Sequence, residues 1–272
     1  MSRGVLLFVR GDGKRSDEIA RAVALVRDIA TELGRPVLIS PDKTFDLGLI
    51  VAVGGDGTFL DASHEALSLD VPIAGVNAGS LGFLTEITPD EPDELRRVLG
   101  PSPLIQWRIA LSVTVLRGEE KVLTAAAVNE LLVMRHPDGT MLDFAIRYAA
   151  MNLPHYKADG LIVATPTGST AYNLSLNGPI LFPTEHAMVV NAVAPHALTQ
   201  RPLVLPSASE LEISLGEGET ATLSVDGGRP VALGPGDRIV AREMHRMLKF
   251  VPSSRRTFFD VLARKLHFGR RD

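Results

Sequence analysis

Hydrophobic residues in this chain change their repeat distance near residue 104, and that change constrains the fold more than any other feature. Before it, short apolar runs at Val5 to Val9, Pro36 to Ile39, Leu47 to Val53 and Val71 to Val76 alternate with segments of helical spacing. Runs that are strand-sized and apolar throughout suit strands buried on both faces. Between the first two, Ile19, Ala22, Val23, Val26, Ile29, Ala30 and Leu33 recur every three or four residues; Ser16 is placed to cap that helix and Gly34 to end it. A second helix is expected after Thr58 and a third from Pro92 to Leu99, with Pro92 suited to a first turn and Gly100 to a stop. Such alternation builds a parallel sheet whose ligands sit beyond the carboxyl ends of the strands.

After Pro101 and Pro103 the period becomes two. Ile109, Leu111, Val113 and Val115 alternate with polar or small residues, as do Leu142, Phe144, Ile146 and Tyr148, and Leu211, Ile213 and Leu215. Gly118-Glu119, Pro137-Asp138-Gly139, Asp226-Gly227-Gly228 and Gly234-Pro235-Gly236-Asp237 supply turns between them. The expected architecture is an α/β domain over residues 1–103 with a mainly parallel sheet, then an all-β sandwich domain over 104–252. A helix within 253–272, with Phe258, Phe259, Leu262 and Leu266 on one side, is expected to pack back on the first domain.

Composition narrows the classes of function. With 28 Lys and Arg against 32 Asp and Glu the net charge is -4, so no basic footprint invites nucleic acid, and 1 Trp with 3 Tyr leave little surface for stacking bases. Cysteine is absent, which removes disulfides, thiolate nucleophiles and thiolate metal sites together and fits a reducing compartment. Gly11-Asp12 interrupts the first apolar run where a signal peptide would stay hydrophobic, and no stretch approaches the ~18 apolar residues of a membrane span; the expectation is a cytoplasmic protein without a membrane partner.

Directly after the Leu47 to Val53 run comes GGDGT, Gly54 to Thr58, opening into a helical segment. Glycines there let backbone N–H groups approach an anion, and the helix N-terminus adds partial positive charge, which is the design of a phosphate cradle. A carboxylate repels phosphate, so Asp56 inside such a loop makes sense only where it meets a metal or a substrate hydroxyl. NAGSLGFLT, Asn77 to Thr85, is a second glycine-rich loop after a strand, with Phe83 and Leu84 offering an apolar face. Asn129 and Glu130 stand inside the apolar run Val122 to Met134, where a carboxylate without a polar partner is costly; an amide plus a carboxylate can read a base edge and a ribose diol. In Asp159 to Ile180 the hydroxyls of Thr165, Thr167, Ser169, Thr170 and Ser175 crowd Gly168, and Tyr172 adds a stacking surface. Gly11 and Gly13 form an incomplete dinucleotide fingerprint, with Lys14 and Arg15 as candidate phosphate contacts, while Walker, HExxH and GxSxG patterns are absent. The seven His are scattered and give no support to zinc chemistry.

Taken together these motifs resemble the NAD kinase family: GGDGT, the NxGxLGF loop at Asn77 to Phe83, the Asn129-Glu130 pair, DGLIVATPTGSTAY at Asp159 to Tyr172 and APHALTQRPLVLP at Ala194 to Pro206. The resemblance implies a two-domain enzyme with its substrate between the domains, moving the terminal phosphoryl of ATP to the adenosine ribose 2′-hydroxyl of NAD and so making NADP. It implies that Asp56 takes the hydroxyl proton, and that Gly54, Gly55, Gly57 and Thr58 face the donor phosphates with a divalent ion, Mg or Mn, carried by the nucleotide. Asp56, Gly57, Phe83, Asn129, Glu130, Thr170, Ala171, Tyr172 and Ser175 are implied to surround NAD. Asp159 matches a residue on the nicotinamide side, often at a subunit contact, and Lys157 stands where the family has an arginine, as a phosphate or subunit contact. The implied partners are NAD and ATP, with polyphosphate as an alternative donor, in a homodimer or homotetramer.

The chain departs from the family pattern at Ala158, at Asn191-Ala192-Val193 and at Gly228, positions that bear on nicotinamide-side contacts. Two other readings compete. A lipid kinase shares the GGDGT loop but follows it with a different segment from NAGSLGFLT, and a dinucleotide sensor would keep the pocket without turnover, against which the intact Asp56 argues.

Overall fold

The computed structural model describes residues 3–10, 16–40, 46–79 and 81–267. Gly11, Gly13, Lys14, Arg15 and the side chain of Ser16 lie outside the described residues. Two compact units divide the chain, Met1–Trp107 with Leu248–Asp272, and Arg108–Met247.

In the first unit β1 (Gly4–Val9), β2 (Val37–Leu38), β3 (Leu47–Gly54) and β4 (Ile73–Asn77) alternate with α1 (Ser16–Glu32) and α2 (Asp56–Leu69), and α3 (Pro92–Val98) and β5 (Gln106–Arg108) follow. β1 pairs with β2 and β3, and β3 with β4, all in parallel. The late strand Leu248–Phe250 enters between β4 and β5, also parallel to β4, so the six-stranded sheet takes in two segments expected to lie in the second domain. Helices cover both faces. Ala22, Val26 and Ile29 of α1 pack on Val5, Leu7, Leu49, Val51 and Val53, while the alternate residues Leu6, Ile50 and Ala52 are equally buried on the other side. Phe59 of α2 meets Phe250 edge-on at 5.5 Å, outside the α1 cluster. Gly34, at φ +64, ends the α1 segment in the left-handed conformation that glycine takes without strain, and Arg35 N–H returns to the Ala30 carbonyl at 2.8 Å.

The second unit is built from β6 (Leu111–Arg117), β7 (Glu120–Ala127), β8 (Glu130–Arg135), β9 (Leu142–Tyr148), β10 (Met151–Asn152), β11 (Tyr156–Ala164), β12 (Ala187–Pro195), β13 (Leu203–Pro206), β14 (Leu211–Leu215), β15 (Ala221–Val225), β16 (Val231–Leu233) and β17 (Asp237–Glu243). Among the described residues its strands pair antiparallel, and the ladder runs continuously from β16 through β15, β8, β11, β9, β14, β17 and β6 to β7. The sheet curls on itself so that β7, at one end, approaches β15 near the other. Its inner face carries the period-two residues: Leu111, Val113, Val115, Leu142, Phe144, Ile146, Leu211 and Ile213 form one buried cluster. The apolar run Val122 to Met134 is two strands and not one, and Asn129-Glu130 sits where β7 hands over to β8.

The strand Leu248–Phe250 is β18; after it the chain runs along the first unit to α5 (Phe258–Leu266). Thr257 caps α5 through a reciprocal box with Asp260, which sets its start at Phe258. Val261 and Leu262 are its buried residues and Phe259 is 66% exposed, so the apolar side is rotated from the one expected.

Candidate active site

Each unit holds one group of the residues singled out from the sequence. In the first, β3 ends at Gly54 and α2 begins at Asp56, with Gly55 as the N-cap. Gly54 has φ +154, and a Cβ there would stand 2.5 Å from the Thr58 hydroxyl, so the tight passage from strand to helix requires glycine. No side chain caps the helix, Gly55 and Gly57 are exposed, and the first-turn N–H groups of α2 lack a capping acceptor. Thr58 is buried against Gly54. Arg10, at the end of the β1 segment, pairs with Asp61 at 3.3 Å on the surface beside Gly57.

The carboxylate of Asp56 is held by the loop that follows β4. Oδ1 accepts from the backbone N–H of Leu84 at 3.0 Å and of Thr85 at 3.1 Å, and from the Thr85 hydroxyl at 3.1 Å. Oδ2 accepts from Phe83 N–H at 2.8 Å. A Cβ on Gly82 would collide with Asp56 Oδ1 and with the Thr85 hydroxyl, which explains a glycine at that point of the loop. The loop itself is pinned by Asn77, whose Nδ2 donates to the Thr85 hydroxyl at 2.9 Å and whose Oδ1 accepts from Gly79 N–H. GGDGT and NAGSLGFLT are thus brought together around one carboxylate. Phe83 is half-buried, with the Lys265 ammonium 6.0 Å from its ring centre.

In the second unit Asp226 organises the Asn129-Glu130 pair. Its backbone, at φ +50, lies in the left-handed region that Asp tolerates, and its carboxylate accepts three consecutive N–H groups, from Val128 at 2.7 Å, Asn129 at 2.8 Å and Glu130 at 3.0 Å. The chain returns the contact through Asp226 N–H to the Glu130 carbonyl at 2.9 Å. Burial, reinforced by the Asp226 charge, pushes the Glu130 carboxyl up to about 7. Glu130 Oε2 and Asn129 Oδ1 are both buried without a hydrogen-bond partner. Orphaned acceptors of this kind are costly in a folded protein unless something else meets them.

The hydroxyl-rich segment packs against the same turn. Thr165 N–H donates to the Asn129 carbonyl at 2.8 Å, and a Cβ on Gly168 would overlap the Asn129 backbone. Three of the hydroxyls crowded around Gly168 also tie the scaffold: Thr165 Oγ1 donates to the Val128 carbonyl, Ser169 to Pro166 at 2.6 Å and Thr170 to Thr167 at 3.2 Å. These short residues follow β11 in a tight 3-10 turn, Gly168–Thr170, whose carbonyls need local donors. Thr167 Oγ1 is the buried hydroxyl of this segment left without a partner. Ala171 precedes the short helix α4 (Tyr172–Ser175), which exposes Tyr172 and Ser175 and anchors itself through buried Asn173 to the carbonyls of Ser169 and Pro179. Lys157 and Asp159 lie at the far end of β11 from Ala164, roughly 16 Å or more along the strand at about 3.3 Å per residue. There Asp159 Oδ1 accepts from Arg135 Nε at 2.6 Å, and exposed Lys157 lies 3.7 Å from Asp143.

The family model described as ATP-NAD kinase N-terminal domain matches residues 37–100, and that described as ATP-NAD kinase C-terminal domain matches 128–253. The NAD kinase of Geobacter metallireducens is 37% identical over 257 residues, covering 93% of this chain and 91% of the relative. The chain belongs to the NAD kinase family. The NAD kinase of Thiobacillus denitrificans is 34% identical over 273 residues, with 99% and 92% of the two chains covered. Among solved structures, an NAD kinase from Archaeoglobus fulgidus in complex with ATP superposes with a TM-score of 0.76 at 25% identity, covering 95% of this chain and 98% of the other. Yeast NADH kinase complexed with NADH gives a TM-score of 0.84 at 23% identity, over 100% and 89% of the chains, and bears on the fold alone. The NAD kinase family fold is this one, an α/β unit on a mainly parallel sheet and a curled antiparallel β unit.

The sequence reading missed two residues that the structure puts at the centre of these groups. Asp226 was read only as part of a turn, and Thr85 only as the end of a loop, although the left-handed Asp226-Gly227 step is a local signal that a carboxylate is being aimed.

Proposed function

We propose that this protein phosphorylates NAD, transferring the terminal phosphoryl group of ATP to the 2′-hydroxyl of the adenosine ribose to give NADP and ADP. The observation that carries the reading is the Asp56 carboxylate, immobilised at the start of a helix that follows a glycine-rich strand end. Oδ1 already accepts three hydrogen bonds, while Oδ2 accepts one and has a lone pair left for a substrate O–H. Asp56 Oδ2 takes the hydroxyl proton as the ribose oxygen attacks phosphorus, and the ADP oxygen leaves in line.

Gly54, Gly55, Gly57 and Thr58 receive the donor phosphates through the uncapped N–H groups of α2. A divalent ion arriving with the nucleotide would neutralise charge on the phosphate oxygens. Asn129 Oδ1, Glu130 Oε2 and Thr167 Oγ1, buried and unpartnered, suit the amino and hydroxyl donors of an adenosine. Phe83, Thr170, Ala171, Tyr172 and Ser175 complete the dinucleotide contacts in this reading. Lys157 and Asp159, at the other end of β11, are assigned to the phosphate and nicotinamide side, and a homodimer or homotetramer is the proposed assembly.

The test is a coupled assay for NADP formation from NAD, ATP and magnesium. Asp56→Asn should lower kcat roughly a hundredfold to ten-thousandfold while NAD affinity moves much less. Folded wild-type protein that binds NAD but makes no NADP would replace the reading with a dinucleotide sensor.

A further inference from the structure

We propose that Thr85, held by Asn77, is a positioning residue that fixes the plane of the Asp56 carboxylate and so aims its remaining lone pair at the substrate; this rests on the reading of Asp56 as the general base. Thr85 is fully buried and Asn77 nearly so, at 0% and 2% exposure. Asn77 Nδ2 donates to Thr85 Oγ1 at 2.9 Å while its Oδ1 accepts from Gly79 N–H, and Thr85 Oγ1 donates onward to Asp56 Oδ1 at 3.1 Å. The direction of this chain is fixed chemically. An amide NH2 can only donate, so the hydroxyl accepts from Asn77 and has one proton to give, and the carboxylate can only accept it.

The consequence is an asymmetric carboxylate. With the N–H groups of Leu84 and Thr85 also on Oδ1, that oxygen has three donors and little capacity for a fourth, whereas Oδ2 has Phe83 N–H alone. The two oxygens of a carboxylate are equivalent under a half-turn, so a freely rotating aspartate would lose not one particular oxygen but a fixed plane and tilt. Here rotation about the terminal bond would break three hydrogen bonds at once, and the Gly82 backbone closes the space behind Oδ1. Holding a base within a few tenths of an ångström of its working position is worth large rate factors, because transfer depends steeply on alignment.

Thr85→Val keeps the shape and removes the hydroxyl, and Thr85→Ser restores it. Expected are a kcat lower by about ten- to a hundredfold in Thr85→Val, a KM for NAD within about threefold of wild type, and recovery in Thr85→Ser. In an Asp56→Asn background the Thr85→Val effect on residual turnover should vanish, since the hydroxyl acts through that carboxylate. Wild-type kcat in Thr85→Val, or a loss of NAD affinity and melting temperature together with kcat that persists beside Asp56→Asn, would overturn the proposal. Full turnover by Asp56→Asn alone would instead remove the general-base reading on which it stands.

Discussion

Glu130 is the residue whose chemistry is most changed by its surroundings. Burial and the Asp226 charge raise its carboxyl to about 7, so the ligand-free protein favours the protonated form up to neutrality. Because the folded value lies above the unfolded one, the folded state binds the extra proton between about pH 4.5 and 7, and stability is lost as pH rises through that window. Glu130→Gln should abolish this slope: equal to wild type in melting temperature near pH 4, it should exceed it near pH 8 by the equivalent of roughly 1–3 kcal/mol, read by thermal unfolding without ligand. In kinetics the same variant should chiefly raise KM for NAD, and an unchanged KM would remove Glu130 from the dinucleotide contacts. What the sequence could and could not say is plainest here. GGDGT and the Asn129-Glu130 pair were legible because glycine after a strand, and a carboxylate among apolar residues, are local anomalies. Asp226 contacts that pair across 97 residues of chain, and Thr85 reaches Asp56 across 29, separations at which no periodicity carries information. Composition does not reveal that the hydroxyls of Thr165, Ser169 and Thr170 donate to carbonyls of or beside their own turn.

At the scale of elements, α3 is more than a cover for the sheet. Glu94 on it accepts from Arg97 at 2.7 Å and from the Ser254 hydroxyl at 2.6 Å, with Ser254 N–H as well, and Arg256 makes a two-pronged contact with Glu91 at 2.7 and 2.8 Å. Glu86 accepts from Ser253 N–H at 2.9 Å. Three buried acids thus fasten the segment between β18 and α5. Burial alone would raise the Glu94 carboxyl, but hydrogen bonds from Arg97 and Ser254 and the Arg97 charge carry it down to about 2. Its contribution is present above about pH 4.5 and lost as pH falls towards 2. Glu94→Gln should cost about 2–3 kcal/mol near neutrality and flatten the acid limb of the stability curve, as followed by denaturant unfolding between pH 3 and 7. The elements themselves were largely readable, since the three-and-four spacing holds for α1, Pro92 opens α3 as its first turn requires, and the period of two holds for β6, β9 and β14. The face of α5 was not, because two adjacent phenylalanines fit either side and the Thr257 cap decides the phase.

For the whole molecule, the first unit is assembled from both ends of the chain, and its sheet is interrupted without β18. A chain ending at Met247 should keep the antiparallel unit folded while residues 1–107 lose their cooperative transition, seen as early proteolysis confined to that stretch. Two clean transitions with residues 1–107 protected would contradict this. During synthesis the same wiring acts as a clock. The first hundred residues leave the ribosome long before β18, with β4 lacking its neighbour and an unpaired edge exposed. The later-made β unit has all its strands in hand by Glu243, so it can be native while the earlier-made half still waits. The loop that holds Asp56 runs directly from β4, so the Asp56 carboxylate is the later of the two candidate groups to reach its final setting: on the proposed function, a nascent or prematurely terminated chain should gather Asn129, Glu130 and Asp226 without yet being able to turn over.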